Sequence, residues 1–400
     1  MGTVRQLITV GQVVTGPAGH RIADGAVLVD GGTITAVGPR DEVERQAHGQ
    51  ARSRHFPGHT LLPGLINCHV HLVLDAGATP VGTLQDTGDE ALLAGMAARA
   101  QEALRAGVTT VRDLGDRGGL AIRLRDEIRS GRIAGPRIVA SGPPLTVPGG
   151  HCWFFGGVTD GEEDIRRQVR HNAALGADVI KVMVSGGQIT PGSPPMWASQ
   201  FSTGQLRVVV EEAEAAGLPV AAHAHGTEAI VSAVTAGATT IEHCTWMRAG
   251  GGFDRRDDIA ALMAERGIYA CSAMSRNWRA FMERLGPERA EQIMDRIRWL
   301  DRTGVRLIPG TDAGLPTSVF GDFAGALEMY SHLGFPPDRI IEMATVTSAE
   351  ALGLGGETGR IAAGYAADLL VVAGDPLTDI GDLRRTALIL ARGGEVAEEG

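Results

Sequence analysis

From about residue 60 to residue 312 the chain repeats one unit eight times: a short apolar run, a glycine-rich or polar loop, then an amphipathic stretch. The apolar runs are TLLPGLINCHVHL, GVTTVRDLG, PRIVASGPPL, ADVIKVMVSGG, LPVAAHAHG, ATTIEHCTW, GIYACSAM and GVRLIPGTD. Stretches such as DEALLAGMAARAQEALRAG, EEDIRRQVRHNAALGA, TGQLRVVVEEAEAAG and RRDDIAALMAERG lie between them. Each has apolar residues at three- and four-residue spacing, and several end in a glycine, the usual stop signal of a helix. Eight strand–helix units in one run predict an α/β protein built on a (β/α)8 TIM barrel; a doubly wound open sheet is the other arrangement that such a repeat allows.

The two ends read differently. Residues 1–58 hold short strands and turns (RQLITVGQVVTG, GAVLVDGGTITAVG), and residues 357–400 hold similar ones (ADLLVVAGDPL, ALILARGGEV). Neither piece is long enough for a good core alone. Together they are predicted to complete one small composite β-sandwich, with residues 59–356 forming the barrel.

In a barrel of this kind, chemistry sits at the C-terminal ends of the strands. The first run, PGLINCHVHL, places His69 and His71 two apart, so both imidazoles share one face of a strand. They are either hydrogen-bonded core histidines or part of a metal site completed further along. The later strand ends bring Lys181, then His223 and His225, then His243, and finally Asp312. Imidazole with carboxylate is a donor set for zinc or a similar divalent metal. Lys181 lies in VIKVMV between apolar neighbours, and alternation turns it toward the barrel axis with Val179 and Met183. A buried ammonium beside cations is strongly disfavoured. Either Lys181 pairs with a nearby carboxylate, or its neutral amine takes up carbon dioxide as an anionic carbamate able to bridge two metals.

Bulk properties narrow the partners. The net charge is −10, so neither nucleic acid nor an anionic membrane is an expected partner. No window approaches ~18 uninterrupted apolar residues, and the start MGTVRQLITV lacks the pattern of a signal peptide. Cys68, Cys152, Cys244 and Cys271 are scattered without CxxC spacing, which reads as reduced, mostly buried thiols in a cytoplasmic protein.

Taken in order, LLPGLINCHVHL, TTVRDLG, IKVMVSGG, VAAHAHG, TIEHC, GTDAG and GRIAAGYAADLLVVAGDPL resemble the amidohydrolase superfamily of metal-dependent hydrolases. More narrowly, the chain resembles the branch of prolidase-like and Xaa-Arg carboxypeptidase-like enzymes related to ochratoxin-degrading amidases. The resemblance covers nearly the whole chain. It implies that His69, His71 and Asp312 bind the more buried of two divalent ions. His223 and His243 would bind the second, and carboxylated Lys181 would bridge the pair together with a hydroxide. Zinc is favoured over manganese, cobalt or iron. Asp312 would take the hydroxide proton and deliver it to the leaving amine as an amide bond in a dipeptide or N-acyl amino acid is cleaved. Relatives commonly self-associate, so a homo-oligomer acting on a small-molecule substrate is expected.

Two alternatives share the scaffold. Mononuclear deaminases and cyclic-imidate hydrolases usually lack the bridging lysine and carry an HxxE pattern after the fifth strand; here Gly226 occupies the glutamate position. Esterase or lactonase activity stays open, because the same hydroxide attacks esters. A non-catalytic barrel would be expected to have lost a ligand, and none is missing.

Further residues fall near the predicted mouth. His225 is expected to contact substrate, and His151, in VPGGHCWFFGG, either does the same or is a structural loop histidine. Asp113 supports an imidazole or caps its loop; Arg276 holds a carboxylate or lies solvated on the surface. Trp153, Trp197, Trp246 and Trp278 follow strands three, four, six and seven and form an aromatic wall or pack the long loops. The Pro- and Gly-rich loop 185–202 is expected to act as a partial lid.

Overall fold

A computed structural model describes residues 5–48 and 51–397. Its strands, in chain order, begin with β1 (Gln6–Val14), β2 (Arg21–Asp30), β3 (Thr33–Pro39) and β4 (Arg52–Pro63). Then come β5 (Leu65–Val70), β6 (Val108–Asp113), β7 (Arg137–Ala140), β8 (Ile180–Met183), β9 (Val220–Gly226), β10 (Thr240–Met247), β11 (Tyr269–Cys271) and β12 (Leu307–Ile308). β13 (Leu369–Ala373), β14 (Thr386–Ala391) and β15 (Gly394–Glu395) follow near the end. The chain divides into two compact units, one of residues 1–67, 100–110 and 320–400, the other of residues 68–99 and 111–319.

In the first unit both ends of the chain share one seven-stranded sheet, in the order β15-β14-β13-β4-β1-β2-β3. Alternation in the sequence sorts its residues onto two faces. Ile8, Val10, Val27, Val29, Leu61 and Val371 pack into one apolar cluster, while Leu7, Ala26 and Leu28 face the other side with Val43 and Ala47 of helix Arg40–Ala47. Each fully buried Val, Leu or Ile adds about 1.5–3 kcal/mol before chain entropy is charged against it. The sheet also curls: Ile34 N–H donates to Tyr365 O at 2.9 Å, and Thr33 bridges Ala366.

One strand boundary departs from the sequence reading. TLLP and LINCHV read as one run, yet Thr60–Pro63 belongs to β4 and only Leu65–Val70 to β5. The break is Gly64, where a Cβ would stand 2.1 Å from Thr109 Oγ1.

All eight apolar runs of the central region contain a strand. β8 to β12 form a five-stranded sheet in the order β12-β11-β10-β9-β8, with every neighbouring pair parallel; β5, β6 and β7 form a three-stranded one. The seams between these two sheets carry single parallel bridges, Val70 to Ala313 and Leu145 to Val182. The helices fall where the spacing predicts, at Asp89–Arg105, Glu162–Leu175, Thr203–Ala215 and Asp257–Arg266. Gly176 (φ 90°) ends the second of these in the left-handed conformation that a side chain disfavours. Among the described residues no helix is long and apolar enough to cross a membrane. The four cysteines are free and buried.

Candidate metal centre

The ends of five strands deliver the titratable groups. β5 supplies His69 with His71 just beyond it, β8 supplies Lys181, β9 His223 and His225, β10 His243, and the segment after β12 Asp312. The six histidines and lysine are buried, counting His151 of the loop after β7.

His69 and His71 are held alike. His69 Nδ1 lies 2.9 Å from Glu242 Oε2 and its Nε2 3.3 Å from Asp312 Oδ1. His71 Nδ1 lies 3.1 Å from Gly115 O and its Nε2 3.3 Å from the same Asp312 oxygen. A carbonyl accepts only, so His71 Nδ1 carries a proton, and in the neutral ring Nε2 presents a lone pair to a carboxylate oxygen. Convergence of imidazole and carboxylate lone pairs calls for a positive charge among them. A proton on His71 is one source: burial lowers its pKa, but Asp312 and Asp113 outweigh burial and raise it. A divalent cation is the other. Asp312 is held well below the usual carboxylate range, since the nearby His69 and His71 outweigh the opposing effect of burial.

His223, His225 and His243 make a second group, each offering a ring nitrogen within 4.8 Å of the others. The His225 and His243 rings stack at 4.4 Å, and His223 stands edge-on to His243 at 4.6 Å. Burial first, then repulsion from His243 on His223 and from His225 on His243, pushes both well below the ordinary imidazole pKa. Burial likewise takes His225 down to about 3 and His69 to about 4. These are therefore neutral rings, the form that ligates metal.

Lys181 stands out. Its Nζ is buried without a hydrogen-bond partner. Burial lowers its pKa against the pull of Glu242 and Asp312, favouring the neutral amine. An orphaned amine among neutral imidazoles fits a site built to receive cations and a further anionic group; it does not fit an ammonium tied to an acid.

Two supporting residues escaped the sequence reading. Glu242 accepts from Arg112 Nη2 at 2.8 Å and Thr240 Oγ1 at 2.5 Å besides meeting His69, and Arg112 Nε donates to Cys68 O at 2.7 Å. Arg112 and His69 hold Glu242 ionised despite its burial. Strict alternation would send Glu242 and His243 to opposite faces. Instead His243 takes φ 64°, and the β9–β10 register breaks just after it, so that its ring sits 5.1 Å from His69 while Glu242 also bonds that ring. Asp312 is left-handed too, at φ 55°. Such backbone costs about 1–3 kcal/mol per residue and concentrates at functional sites.

The remaining candidates separate. Asp113 caps its loop, accepting from Leu72 N–H at 2.7 Å and Gly115 N–H at 3.2 Å; burial, with Asp116 adding to it, pushes its pKa up to about 7. His151 bonds Thr190 Oγ1 at 3.1 Å, and its ring lies tilted 4.7 Å from that of His223. A cavity of about 910 Å³ opens beside His225, His243 and Asp312. Trp278 lines it; His151 and Arg276 do not. Trp246 is buried against Trp299 at 5.4 Å, while Trp153 and Trp197 are exposed. Loop 185–202 is pinned by Gln200, whose N–H donates to Val184 O at 2.7 Å, and it brings Gln188 and Met196 to the cavity.

The model of the amidohydrolase family matches residues 60–392. The chain belongs to the amidohydrolase family. It is an enzyme, a hydrolase acting on carbon–nitrogen bonds. A short match to an imidazolonepropionase-like composite domain of bacteria covers residues 25–49. Ochratoxinase of Aspergillus niger is 28% identical over 422 aligned residues, covering 94% of this chain and 82% of that protein. Its crystal structure superposes with a TM-score of 0.85 at 25% identity, over 99% of this chain and 96% of that one. A Xaa-Pro dipeptidase with methionine bound in its active site gives a TM-score of 0.85 at 28% identity, over 99% of this chain and all of that one. Imidazolonepropionase of Rhizorhabdus wittichii is 27% identical over 390 residues, 88% of either protein.

Proposed function

We propose that this amidohydrolase cleaves the amide bond of a dipeptide or N-acyl amino acid at two divalent cations, zinc by preference, bridged by carboxylated Lys181. The carrying observation is the buried Lys181 amine, which has no hydrogen-bond partner and whose burial lowers its pKa amid neutral histidines. His69, His71 and Asp312 would hold one ion and His223 and His243 the other, with His225 near enough to join them. Cations held there supply an acidified water and polarise the scissile carbonyl. Asp312, kept ionised, is the proton acceptor and later returns the proton to the leaving amine. Glu242 fixes the His69 ring through Nδ1. His225, on the cavity wall, would donate to the substrate; His151, 4.7 Å from His223 but outside that wall, would do so only to a substrate group that reaches past the wall. Likeness to an ochratoxinase and to a Xaa-Pro dipeptidase supports this class.

The same reading takes β5 to β12 as a closed (β/α)8 barrel, supported by the bridges at both seams. Residues 1–58 and 357–400 are its composite β-sandwich, supported by their shared, curled sheet. The four unbridged cysteines support a cytoplasmic location.

The imidazolonepropionase likeness makes cyclic-amide hydrolysis at one metal the second reading. Gly226 weighs against it: a Cβ there would lie 2.2 Å from Trp197 O, which leaves no room for the HxxE glutamate.

The test is metal content per chain alongside hydrolysis of a panel of N-acyl amino acids, dipeptides and cyclic amides. Two metals per chain with amide cleavage is the expected result. One metal with ring opening or ammonia release would replace the proposal by the second reading.

A further inference from the structure

Arg296, on helix Pro287–Arg302, has a place that neither the proposed reaction nor the packing accounts for. The residue is only 5% exposed. Its Nη1 donates to Thr245 O at 2.8 Å, and the guanidinium lies 5.3 Å above the Phe253 ring. Among the described residues no carboxylate comes within ion-pair distance of it. The neighbouring acids are taken: Asp295 pairs with Arg255 and Arg302, and Asp254 with Arg248. Burial lowers its pKa to about 10, opposed only by the Cys244 thiol, so the group stays charged at neutral pH with no carboxylate to compensate it. A buried guanidinium is normally paired, because its forked donors and lost hydration demand an anion.

The surroundings say which anion. Arg296 lines the cavity of about 910 Å³ that also reaches His225, His243 and Asp312. The charged residues of that lining are Arg284, Arg289, Arg296 and Asp312, so the one carboxylate is the one at the metal centre. Against a net charge of −10 for the chain, this mouth is locally basic. Much of the remaining wall is apolar, with Met196, Met274, Trp278 and Phe281. The volume suits a drug-sized ligand.

We propose that Arg296 is the receptor for a carboxylate on the substrate, and that the substrate class is an amino acid amide-linked to, or bearing, a large aromatic or aliphatic group that fills this cavity. The identity of the scissile bond rests on the amide-hydrolase reading above; the anion receptor does not.

The experiment measures binding to the metal-loaded protein of 3-phenylpropanoate and of its neutral carboxamide, followed by calorimetry. Wild-type protein should prefer the carboxylate by about ten- to a hundredfold, the range of a charge-assisted hydrogen bond. Arg296→Met should bind both alike at unchanged metal content. Arg296→Gln, which keeps a donor for Thr245 O without the charge, gives the same comparison should the methionine variant unfold. Equal binding of the two ligands by wild type, or a preference that survives both substitutions, would overturn the proposal. The preference vanishing in the variants while no amide in the panel is cleaved would leave the receptor standing and remove only the assigned reaction.

Discussion

In the seven-stranded sheet the buried positions of β1, β2 and β13 are mostly valine, leucine and isoleucine, and charges such as Arg54 and Glu395 meet on the outside. At the ends of β5, β8, β9 and β10 the equally buried positions are histidine, lysine and glutamate. The sheet gains free energy from every side chain it hides. The centre loses free energy by hiding imidazoles and an amine, and it adds left-handed backbone at His243 and Asp312. The contrast teaches that the first region needs nothing from outside the chain. In the second, burial of polar groups is left without such a gain.

Substitutions in the two regions should behave oppositely. The largest effect belongs to Lys181→Met. Turnover should fall by about 10³-fold or more, the several kcal/mol that metal charge supplies, while thermal stability of the metal-free protein holds or rises because a desolvated amine is gone. A marked loss of metal-free stability would show that the amine has a structural partner. Next comes Glu242→Gln, which strips the buried Arg112 of its counter-ion and should cost about 3–5 kcal/mol in denaturant unfolding. It should also weaken metal binding about 10–100-fold, and adding Arg112→Met should restore stability without restoring affinity. In the sheet, Leu61→Ala should cost about 2–5 kcal/mol with metal content unchanged. The smallest effect is Arg54→Ala. Glu395 is held below its ordinary pKa chiefly by the hydrogen bond from Arg54, so the pair stabilises above the carboxylate range and loses that effect as acid protonates Glu395. Because Glu395 is half exposed, the loss at neutral pH should stay within about 1 kcal/mol and vanish in acid or high salt.

β5 to β12 were legible in the sequence because each apolar run stops at a loop and each intervening helix ends near a glycine. The histidines were legible because two-residue spacing on a strand fixes a shared face. Thr60–Pro63 was not, because Gly64 interrupts an apolar run that shows no other break, and only the nearness of Thr109 explains the turn. Glu242 was hidden by the rule that revealed His69: alternation assigns neighbours to opposite faces, and nothing in TIEHC announces the left-handed residue that defeats it. Arg112 was passed over for Asp113 beside it, although it is Arg112 that reaches Glu242. For the loop arginine Arg276 the sequence left both a carboxylate partner and a solvated surface position open; Arg296 drew no notice, because it is a helical residue whose burial depends on tertiary packing.

At Gly226, with the Trp197 carbonyl within 2.2 Å of where a Cβ would be, an acid can be held only if the backbone around Trp197 moves. Turning this site into one with a carboxylate at position 226 therefore asks for a remodelled loop around Trp197 as well as a new side chain, a constraint of shape rather than of charge.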